Sequence, residues 1–456
     1  MFKGLMTSVS GVRGIVGEGL TPEVALLWAG GFGTWIEGRK VVLARDSRPT
    51  GWMFVHAVKA GLMSAGCDIE DVGVVPTPTG ALAVERRGAG GGIIITASHN
   101  PQPWNALKFV RPDGRMLTAN DFSELEHIVT DGPIRSAAWD KIGRSVDWKG
   151  AGEMYLDAAL GLGLLDLDRI RRKKLRVAID CVNGAGSMLY PLLLEALGCE
   201  VTSIYCDGSG FFPRSPEPGP ENIQELCRCV VTNKCQVGFA VDPDGDRLAA
   251  VDETGQPIGE ETTLALAILN TLARRPGPVV INSLTSQLIC DITRQFEIDC
   301  HRSKVGEANV AALMKEVGAV VGGEGNGGVM LAELHLVRDA GVGMALILNE
   351  MAAARKPLSI KVAALPQYKM LKTTYPILEF NPQEALDILA ERYPYDQVSR
   401  TDGVRIANDH GWIQARASNT EPILRIYSED RDGEQAESAL NEMLENIESI
   451  VSRLKR

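Results

Sequence analysis

The chain has 456 residues, of which 45% are hydrophobic and 23% charged, and its formal net charge is −11. This composition is typical of a globular protein of roughly two to four domains, and it excludes a disordered, collagenous or coiled-coil chain. The charge argues against a nucleic-acid partner, because such binding needs a concentrated positive surface and no basic block stands out beyond residues 171–174.

The N-terminus has no signal-type apolar core, and no uncharged stretch is long enough to cross a bilayer. The nine cysteines include no C-x-x-C pair, so we interpret them as buried free thiols. We therefore predict a cytoplasmic protein without a membrane partner, either a monomer or a homodimer.

Three apolar, strand-like runs lead directly into polar loops. The runs are residues 92–95, 237–241 and 319–321, and the loops are residues 96–101, 242–247 and 322–328. Such runs predict buried parallel strands of α/β units, and ligands collect beyond the carboxyl ends of such strands. We therefore expect all three loops to be functional.

Polar breaks at residues 140–152, 252–255 and 365–368 divide the chain. They predict four domains, residues 1–150, 151–254, 255–365 and 366–456. The last differs in character, because a predicted hairpin (404–407 and 412–416) and a third strand (423–427) precede a helix with one apolar face. This pattern indicates an α+β module.

Ser98 lies in the first loop, at the end of a predicted strand. It is not within G-x-S-x-G, so the nucleophile elbow of hydrolases is not indicated, and the side chain of neighbouring His99 is expected to diverge from it. A lone serine in a turn is usually inert. The accompanying carboxylate and arginine loops make Ser98 a candidate nucleophile.

The second loop carries three alternating aspartates, Asp242, Asp244 and Asp246. Three oxygen donors without His or Cys favour Mg²⁺, with Ca²⁺ or Mn²⁺ as alternatives. An EF-hand is not supported, because Arg247 stands where that loop needs glycine. A purely structural turn is disfavoured, because clustered acids without a cation repel one another.

The third loop offers Glu324 and Asn326 among five glycines and lacks the spacing and lysine of a nucleotide P-loop. Its acid and amide suit vicinal sugar hydroxyls.

A fourth loop begins at Arg416 and combines a guanidinium with short polar donors, which suits a phosphate monoester, although alone it could equally be a polar turn. Its candidate residues are Arg416, Ser418, Asn419, Thr420 and Arg425.

These four loops, in this order and together with residues 11–14 and 45–49, resemble the α-D-phosphohexomutase family over nearly the whole chain. The family includes phosphoglucomutase, phosphomannomutase and phosphoglucosamine mutase. The resemblance implies three similar mixed-sheet α/β domains and a smaller α+β C-terminal domain around a central cleft.

The resemblance also implies an activity, the interconversion of hexose 6-phosphate and hexose 1-phosphate. Ser98 would be a phosphoserine that passes its phosphoryl group to the sugar through a hexose 1,6-bisphosphate intermediate, which also serves as activator. One Mg²⁺ per chain would be held by Ser98, Asp242, Asp244 and Asp246. The substrate would be a glucosamine, mannose or glucose phosphate.

Arg13, Lys108 and Arg247 match the family's basic residues near the transferring group, and we add His99 to the candidate catalytic residues. Lys108 is the better candidate for proton transfer, since neighbouring cations can lower the pKa of an ammonium while an arginine stays charged. By the same resemblance, the fourth loop would bind the distal phosphate and Glu324 the sugar hydroxyls.

The third loop departs from the family pattern. Many members read G-E-x-S-G-H there, whereas this chain has Asn326 and Gly328. The role of that histidine cannot be transferred to this chain, and the loop looks like the variant in archaeal-type phosphoglucosamine or phosphomannose mutases. Two alternatives to a mutase stay open: a Mg²⁺-dependent sugar phosphatase that uses the same carboxylates, and a non-catalytic sugar-phosphate sensor.

Overall fold

The computed structural model describes residues 4–354, 356–378, 380–418 and 421–454. Separate sheets follow one another along the chain, three of them mixed and the last antiparallel. The predicted fold class, three α/β domains followed by a smaller α+β domain, is confirmed. None of the helices in the described ranges combines the length and apolar character that a membrane span requires.

The first domain is a mixed sheet between helices. Its strands are β1 (Met6–Ser8), β2 (Gly11–Ile15), β3 (Val41–Arg45), β4 (Ile69–Val74), β5 (Gly91–Ile95), β6 (Trp104–Val110) and β7 (Ser145–Asp147). Its helices are α1 (Pro22–Trp35), α2 (Gly51–Ser64), α3 (Thr77–Arg86) and α4 (Ala119–Thr130). The sheet order is β1-β2-β6-β5-β3-β4-β7. β7 lies in the predicted polar break, and its short, largely exposed sequence carries no strand signal.

The second domain is a smaller, four-stranded mixed sheet with its own helices. Its strands are β8 (Arg176–Asp180), β9 (Glu200–Ile204), β10 (Val237–Val241) and β11 (Leu248–Asp252). Its helices are α5 (Ala151–Leu160), α6 (Leu167–Lys173), α7 (Leu189–Ala196) and α8 (Gln224–Thr232). The sheet order is β11-β10-β8-β9.

The third domain repeats this arrangement. Its strands are β12 (Val279–Asn282), β13 (Cys300–Ser303), β14 (Val321–Glu324) and β15 (Gly328–Leu331). Its helices are α9 (Glu260–Leu272), α10 (Gln287–Gln295), α11 (Glu307–Val317), α12 (Ala340–Ala353) and α13 (Leu358–Ala363). The sheet order is β13-β12-β14-β15.

The fourth domain is an antiparallel sheet covered by helices. Its strands are β16 (Lys369–Pro376), β17 (Val398–Ser399), β18 (Val404–Ala407), β19 (Gly411–Ala417) and β20 (Ile423–Asp430), and its helices are α14 (Pro382–Ala390) and α15 (Gly433–Leu454). The order is β16-β20-β19-β18-β17, so the predicted hairpin, third strand and closing helix are confirmed.

The candidate loops of the first three domains share one position in the fold. β5, β10 and β14 each run parallel to one neighbour, as predicted, and then turn back into an antiparallel strand. The predicted bounds of the third run and loop are wrong, because β14 extends through Glu324 and β15 begins at Gly328, so only residues 325–327 connect the two strands. The loop of the fourth domain likewise joins the antiparallel pair β19 and β20. Each candidate loop is therefore a hairpin connection anchored on both sides by a sheet.

The apolar cores do not coincide with the individual sheets. The second and third domains share one core, in which Tyr155 and Tyr190 lie with Leu264 and Leu346. Tyr190 donates from its hydroxyl to the Gly245 carbonyl oxygen at 2.7 Å, which joins this core to the loop of residues 242–247 (the aspartate loop). The aspartate loop and the loop of residues 322–328 (the sugar-type loop) are thus supported by one apolar core.

Candidate active site

Ser98 lies in a tightly held loop after β5. Its backbone is left-handed, with φ of 49°. Its amide donates to Thr96 Oγ1 at 3.0 Å, and the Thr96 hydroxyl donates to Asp46 Oδ2 at 2.7 Å. Because Thr96 and Asp46 are both buried, these two hydrogen bonds fix the backbone at Ser98 and so the position of its hydroxyl.

The guanidinium of Arg48 stabilises the same loop. It is fully buried, and its guanidinium donates to the carbonyl oxygens of Ser98 at 2.7 Å and Asn100 at 2.7 Å. It also donates to the carbonyls of Pro101 and Trp104, at 2.9 Å and 3.1 Å. One side chain therefore donates to four carbonyl groups in and beside the loop, one of which, that of Pro101, also accepts from the Trp104 amide at 3.0 Å.

The three aspartates converge between β10 and β11. One carboxylate oxygen from each of Asp242, Asp244 and Asp246 lies within 4.8 Å of the others, and all three residues are buried. Ser98 Oγ donates to Asp242 Oδ2 at 2.8 Å. The structure thus places the hydroxyl of the first domain against the carboxylates of the second.

The aspartate cluster fits a hard divalent cation. The Oδ1 atoms of Asp244 and Asp246 are buried and have no hydrogen-bond partner among the described residues. Burial raises the pKa of Asp242 well above its usual range, and the charges of Asp244 and Asp246 raise it further. A bound cation would relieve both costs, and an all-oxygen donor set suits Mg²⁺ or Mn²⁺.

Lys108, on β6, contacts two of the aspartates. Its Nζ lies 2.6 Å from Asp244 Oδ2 and 3.4 Å from Asp246 Oδ2. Burial lowers the pKa of Lys108, but these carboxylates outweigh burial and raise the pKa above its ordinary value. The expectation of a lowered pKa is therefore wrong for this structure, because the charges nearest the ammonium are anions.

His99 is nearer to Ser98 than the sequence suggested. Its Nδ1 lies 3.3 Å from Ser98 Oγ, because the left-handed backbone at Ser98 turns the two side chains toward each other. Its Nε2 lies 3.5 Å from Glu217 Oε2. Burial, followed by the charges of Arg247 and Arg338, lowers the pKa of His99 to about 2, so the imidazole is neutral.

The two remaining cations of the predicted cluster have protein partners. Arg13 donates from Nη1 to Asn100 Oδ1 at 3.2 Å, and Arg247 donates to a carboxylate oxygen of Glu217. Glu217 therefore contacts both His99 and Arg247, although no motif in the sequence singled it out.

The sugar-type loop of the third domain meets the aspartate loop. Glu324 accepts from Asn282 Nδ2 at 2.8 Å and from the Gly306 amide at 2.9 Å. Its second oxygen accepts from Arg338 Nη1 at 2.8 Å, and Arg338 Nη2 donates to Asp246 Oδ2 at 2.6 Å. Asn326 Oδ1 caps its own loop by accepting from the Gly328 amide at 3.3 Å.

Asp402 connects the fourth loop to the third domain, because it contacts both Arg416 and the backbone of Val305. Arg416 Nε lies 3.0 Å from Asp402 Oδ2, and the same oxygen accepts from the Val305 amide at 3.1 Å. Arg425, on β20, donates from Nε to Ser418 Oγ of the loop at 3.4 Å. Asn419 and Thr420 lie outside the described residues.

The sequence missed several contributors because they are distant along the chain. Thr77 donates to Asp244 Oδ2 at 2.6 Å across 167 positions, and Arg338 reaches Asp246 across 92. Asp46 and Arg48 lie within the motif 45–49, so that part of the resemblance did mark them. The other contacts arise only when the sheets come together.

Comparison with known proteins identifies the class. Family models described as phosphoglucomutase/phosphomannomutase alpha/beta/alpha domains I, II and III match residues 5–133, 153–255 and 260–368. The corresponding C-terminal domain model matches residues 361–446. The chain therefore belongs to the α-D-phosphohexomutase family, as the sequence predicted.

Relatives and solved structures agree with this class. The chain is 35% identical over 450 residues to a protein of Methanopyrus kandleri named probable phosphoglucosamine mutase, covering 98% of both chains. It is 36% identical to a phosphoglucomutase/phosphomannomutase of Thermococcus kodakarensis, covering 96% of this chain and 97% of the relative. A phosphoglucomutase/phosphomannomutase family structure from Burkholderia thailandensis superposes with a TM-score of 0.85 at 28% identity, covering 99% and 98% of the two chains.

These matches define the reaction class of the chain. It is a phosphohexomutase, an isomerase that acts as an intramolecular phosphotransferase. The N-acetylphosphoglucosamine mutase of Aspergillus fumigatus, solved with GlcNAc-6P and magnesium, shares the fold at a TM-score of 0.61 and 14% identity, covering 97% and 95% of the two chains.

Proposed function

We propose that the chain interconverts hexose 6-phosphate and hexose 1-phosphate through a phosphoserine at Ser98 and a hexose 1,6-bisphosphate intermediate. The observation that carries the proposal is the 2.8 Å contact between Ser98 Oγ and Asp242 Oδ2, at the edge of the aspartate cluster. A hydroxyl in this position can share a cation with the three carboxylates once it carries a phosphoryl group.

The aspartates and the phosphate of Ser98 would hold Mg²⁺, which supplies Lewis-acid stabilisation of the charge that develops during phosphoryl transfer. Arg13 contacts Asn100 of the loop that carries Ser98, and the charge of Arg247 acts on His99 of the same loop, so both add positive charge for an anionic substrate. Lys108 stays protonated beside Asp244, so in this state it neutralises charge rather than accepting a proton.

The third and fourth loops suit the two ends of the substrate. The Glu324 carboxylate accepts hydrogen bonds from three donors. A carboxylate has about four acceptor sites, so Glu324 can accept one more hydrogen bond from a sugar hydroxyl. Arg416 and Arg425, with the hydroxyl of Ser418, provide donors for the distal phosphate. Asn419 and Thr420 belong to the same loop by sequence and are part of this proposal.

The substrate of the proposal is a glucosamine, mannose or glucose phosphate, because the curated relatives carry names of phosphoglucosamine mutase and of phosphoglucomutase/phosphomannomutase. We include hexose 1,6-bisphosphate as the activator that phosphorylates Ser98. Nothing in the comparisons supports the phosphatase alternative.

A coupled assay over the three 1-phosphates and the three 6-phosphates, with Mg²⁺ and glucose 1,6-bisphosphate, tests the proposal. We expect isomerisation of at least one pair, little release of inorganic phosphate, and a loss of at least about 10³-fold in kcat for Ser98→Ala. Ser8→Ala, which changes a serine on the first strand, is the control and should retain wild-type activity. Full turnover by Ser98→Ala, or phosphate as the main product, would overturn the proposal.

A further inference from the structure

The side chain of Arg338 fills the space beside Gly328 in the sugar-type loop. A Cβ atom added to Gly328 would lie 2.3 Å from Arg338 Cδ and 2.9 Å from Arg338 Cγ. Contacts this short require one of the two to move. Residue 328 is the position at which the G-E-x-S-G-H pattern carries its histidine, so the stem of Arg338 occupies the volume into which that side chain would extend.

The guanidinium of Arg338 bridges two loops that belong to different domains. It donates to Glu324 Oε2 at 2.8 Å and to Asp246 Oδ2 at 2.6 Å, and only 8% of the residue is exposed. Its Nε also lies 3.6 Å from Glu307 Oε2. A planar fork can hold two carboxylates at a fixed separation, which the single ammonium of a lysine cannot do with the same geometry.

The backbone beside Arg338 is fixed independently of these two carboxylates. The Arg338 amide donates to Glu307 Oε1 at 2.9 Å, and the Asp339 amide donates to the Val329 carbonyl at 2.8 Å. Asp339 Oδ1 also accepts from the Tyr155 hydroxyl at 2.6 Å. Arg338 therefore extends from a rigid base, so its guanidinium can determine where Asp246 and Glu324 lie relative to each other.

We propose that Arg338 is a positioning residue that takes over the basic position left by Gly328 and sets the separation between Asp246 of the aspartate loop and Glu324 of the sugar-type loop. The inference rests on the proposed function, because it takes those two residues as the metal-binding and sugar-binding groups. It acts through them and requires no contact between Arg338 and the reacting atoms.

The test is a cycle of variants: Arg338→Lys, Arg338→Ala, Gly328→His and the double variant Gly328→His with Arg338→Ala. We expect Arg338→Ala to lower kcat/KM by roughly 10- to 100-fold, the scale observed when a partner of a metal ligand is removed. Gly328→His alone should also lose activity, because its side chain meets Arg338. The double variant should recover about tenfold over Arg338→Ala, since the two positions share one volume.

Two further readouts separate positioning from a general structural role. Arg338→Lys keeps a charge but not the fork, so we expect a raised KM for the hexose phosphate and weaker Mn²⁺ binding to the enzyme without sugar, measured by calorimetry. Arg274→Lys, which alters an arginine near Glu350 in the same domain, is the matched control and should change neither quantity. Thermal unfolding of every variant identifies any that fail to fold.

The outcomes are distinct. If the wild type isomerises in a Ser98-dependent manner, the proposed function stands. The inference on Arg338 is then wrong if Arg338→Lys behaves like Arg274→Lys. It is also wrong if the losses in kcat/KM of Arg338→Ala and Gly328→His simply multiply in the double variant. If the wild type does not isomerise any of the sugars, the proposed function fails. Mn²⁺ affinities across the same cycle then decide whether Arg338 positions Asp246.

Discussion

At the residue scale, Glu261 lies directly against the sugar-type loop. Its Oε2 accepts from the Ser286 amide at 3.0 Å, and a Cβ added to Gly325 would lie 1.9 Å from its Oε1, so a larger residue at position 325 would displace the Glu261 carboxylate. Burial raises the pKa of Glu261 to about 8, the Ser286 amide opposes that shift, and the charge of Glu429 adds to it. Glu261 is therefore mainly protonated in the folded protein at neutral pH.

This pKa predicts a loss of stability toward alkaline pH. The folded pKa lies above the unfolded value, so the stabilisation is complete below about pH 4.5 and is lost as the pH rises through about 8, by at most about 1.4 kcal/mol per pH unit. Glu261→Gln should be less sensitive to pH than the wild type in thermal unfolding between about pH 5 and pH 8.5. Glu225→Gln, at an exposed position, is the control. Parallel curves for wild type and Glu261→Gln would contradict this assignment.

Single residues also mark how far the sequence could predict the site. The loops that carry Ser98 and the aspartates were predictable, because each loop directly follows an apolar run that forms a strand. Arg338 was not predictable, because it lies 92 positions from Asp246 along the chain and only the fold brings the two side chains together. The direction of the pKa shift of Lys108 was also beyond the sequence, which indicates which charges exist but not which lie nearest.

At the scale of elements, the hairpin connection is what makes each loop precise. The paired strands β5 and β6 anchor both ends of the Ser98 loop, and Arg48 stabilises the loop by donating to four carbonyl groups. Apolar runs and polar loops predicted these connections well. The three-residue β7 was missed, because its sequence is polar and only its pairing with β4 makes it a strand.

Arg48→Lys tests the support of the Ser98 loop. A lysine keeps the positive charge but cannot reach four carbonyls from one planar group, so the loop should lose its fixed geometry. We expect kcat for isomerisation to fall by about 10²-fold, the scale for a displacement of about 1 Å at a reacting group. Arg111→Lys, which alters a contact with Asp121 in the same domain, is the control. An unchanged kcat for Arg48→Lys would show that the loop holds its shape without the guanidinium.

At the scale of the whole molecule, the second and third domains share an apolar core, the first and fourth domains have cores of their own, and a smaller cluster joins the first domain to Ala151 and Val337. Contacts of the fourth domain with the third include polar ones at Asp402 and Glu429, where Glu429 Oε2 accepts from the Gln287 amide at 2.8 Å. This arrangement suits the proposed substrate, which would be held at both ends. A thousandfold preference for phosphoryl transfer to the sugar over transfer to water corresponds to a barrier difference of about 4 kcal/mol.

The most direct test of the proposed phosphoserine follows the phosphoryl group itself. Enzyme that has been phosphorylated at Ser98 by ³²P-labelled glucose 1,6-bisphosphate and freed of sugar is mixed with an unlabelled hexose phosphate and quenched within one turnover. The label is then traced in protein, sugar and inorganic phosphate. We expect the label to leave Ser98 for a hexose bisphosphate at the rate of turnover, and we expect Ser98→Ala to take up none. Label that is carried by another residue, or that passes mainly to inorganic phosphate, would contradict this proposal.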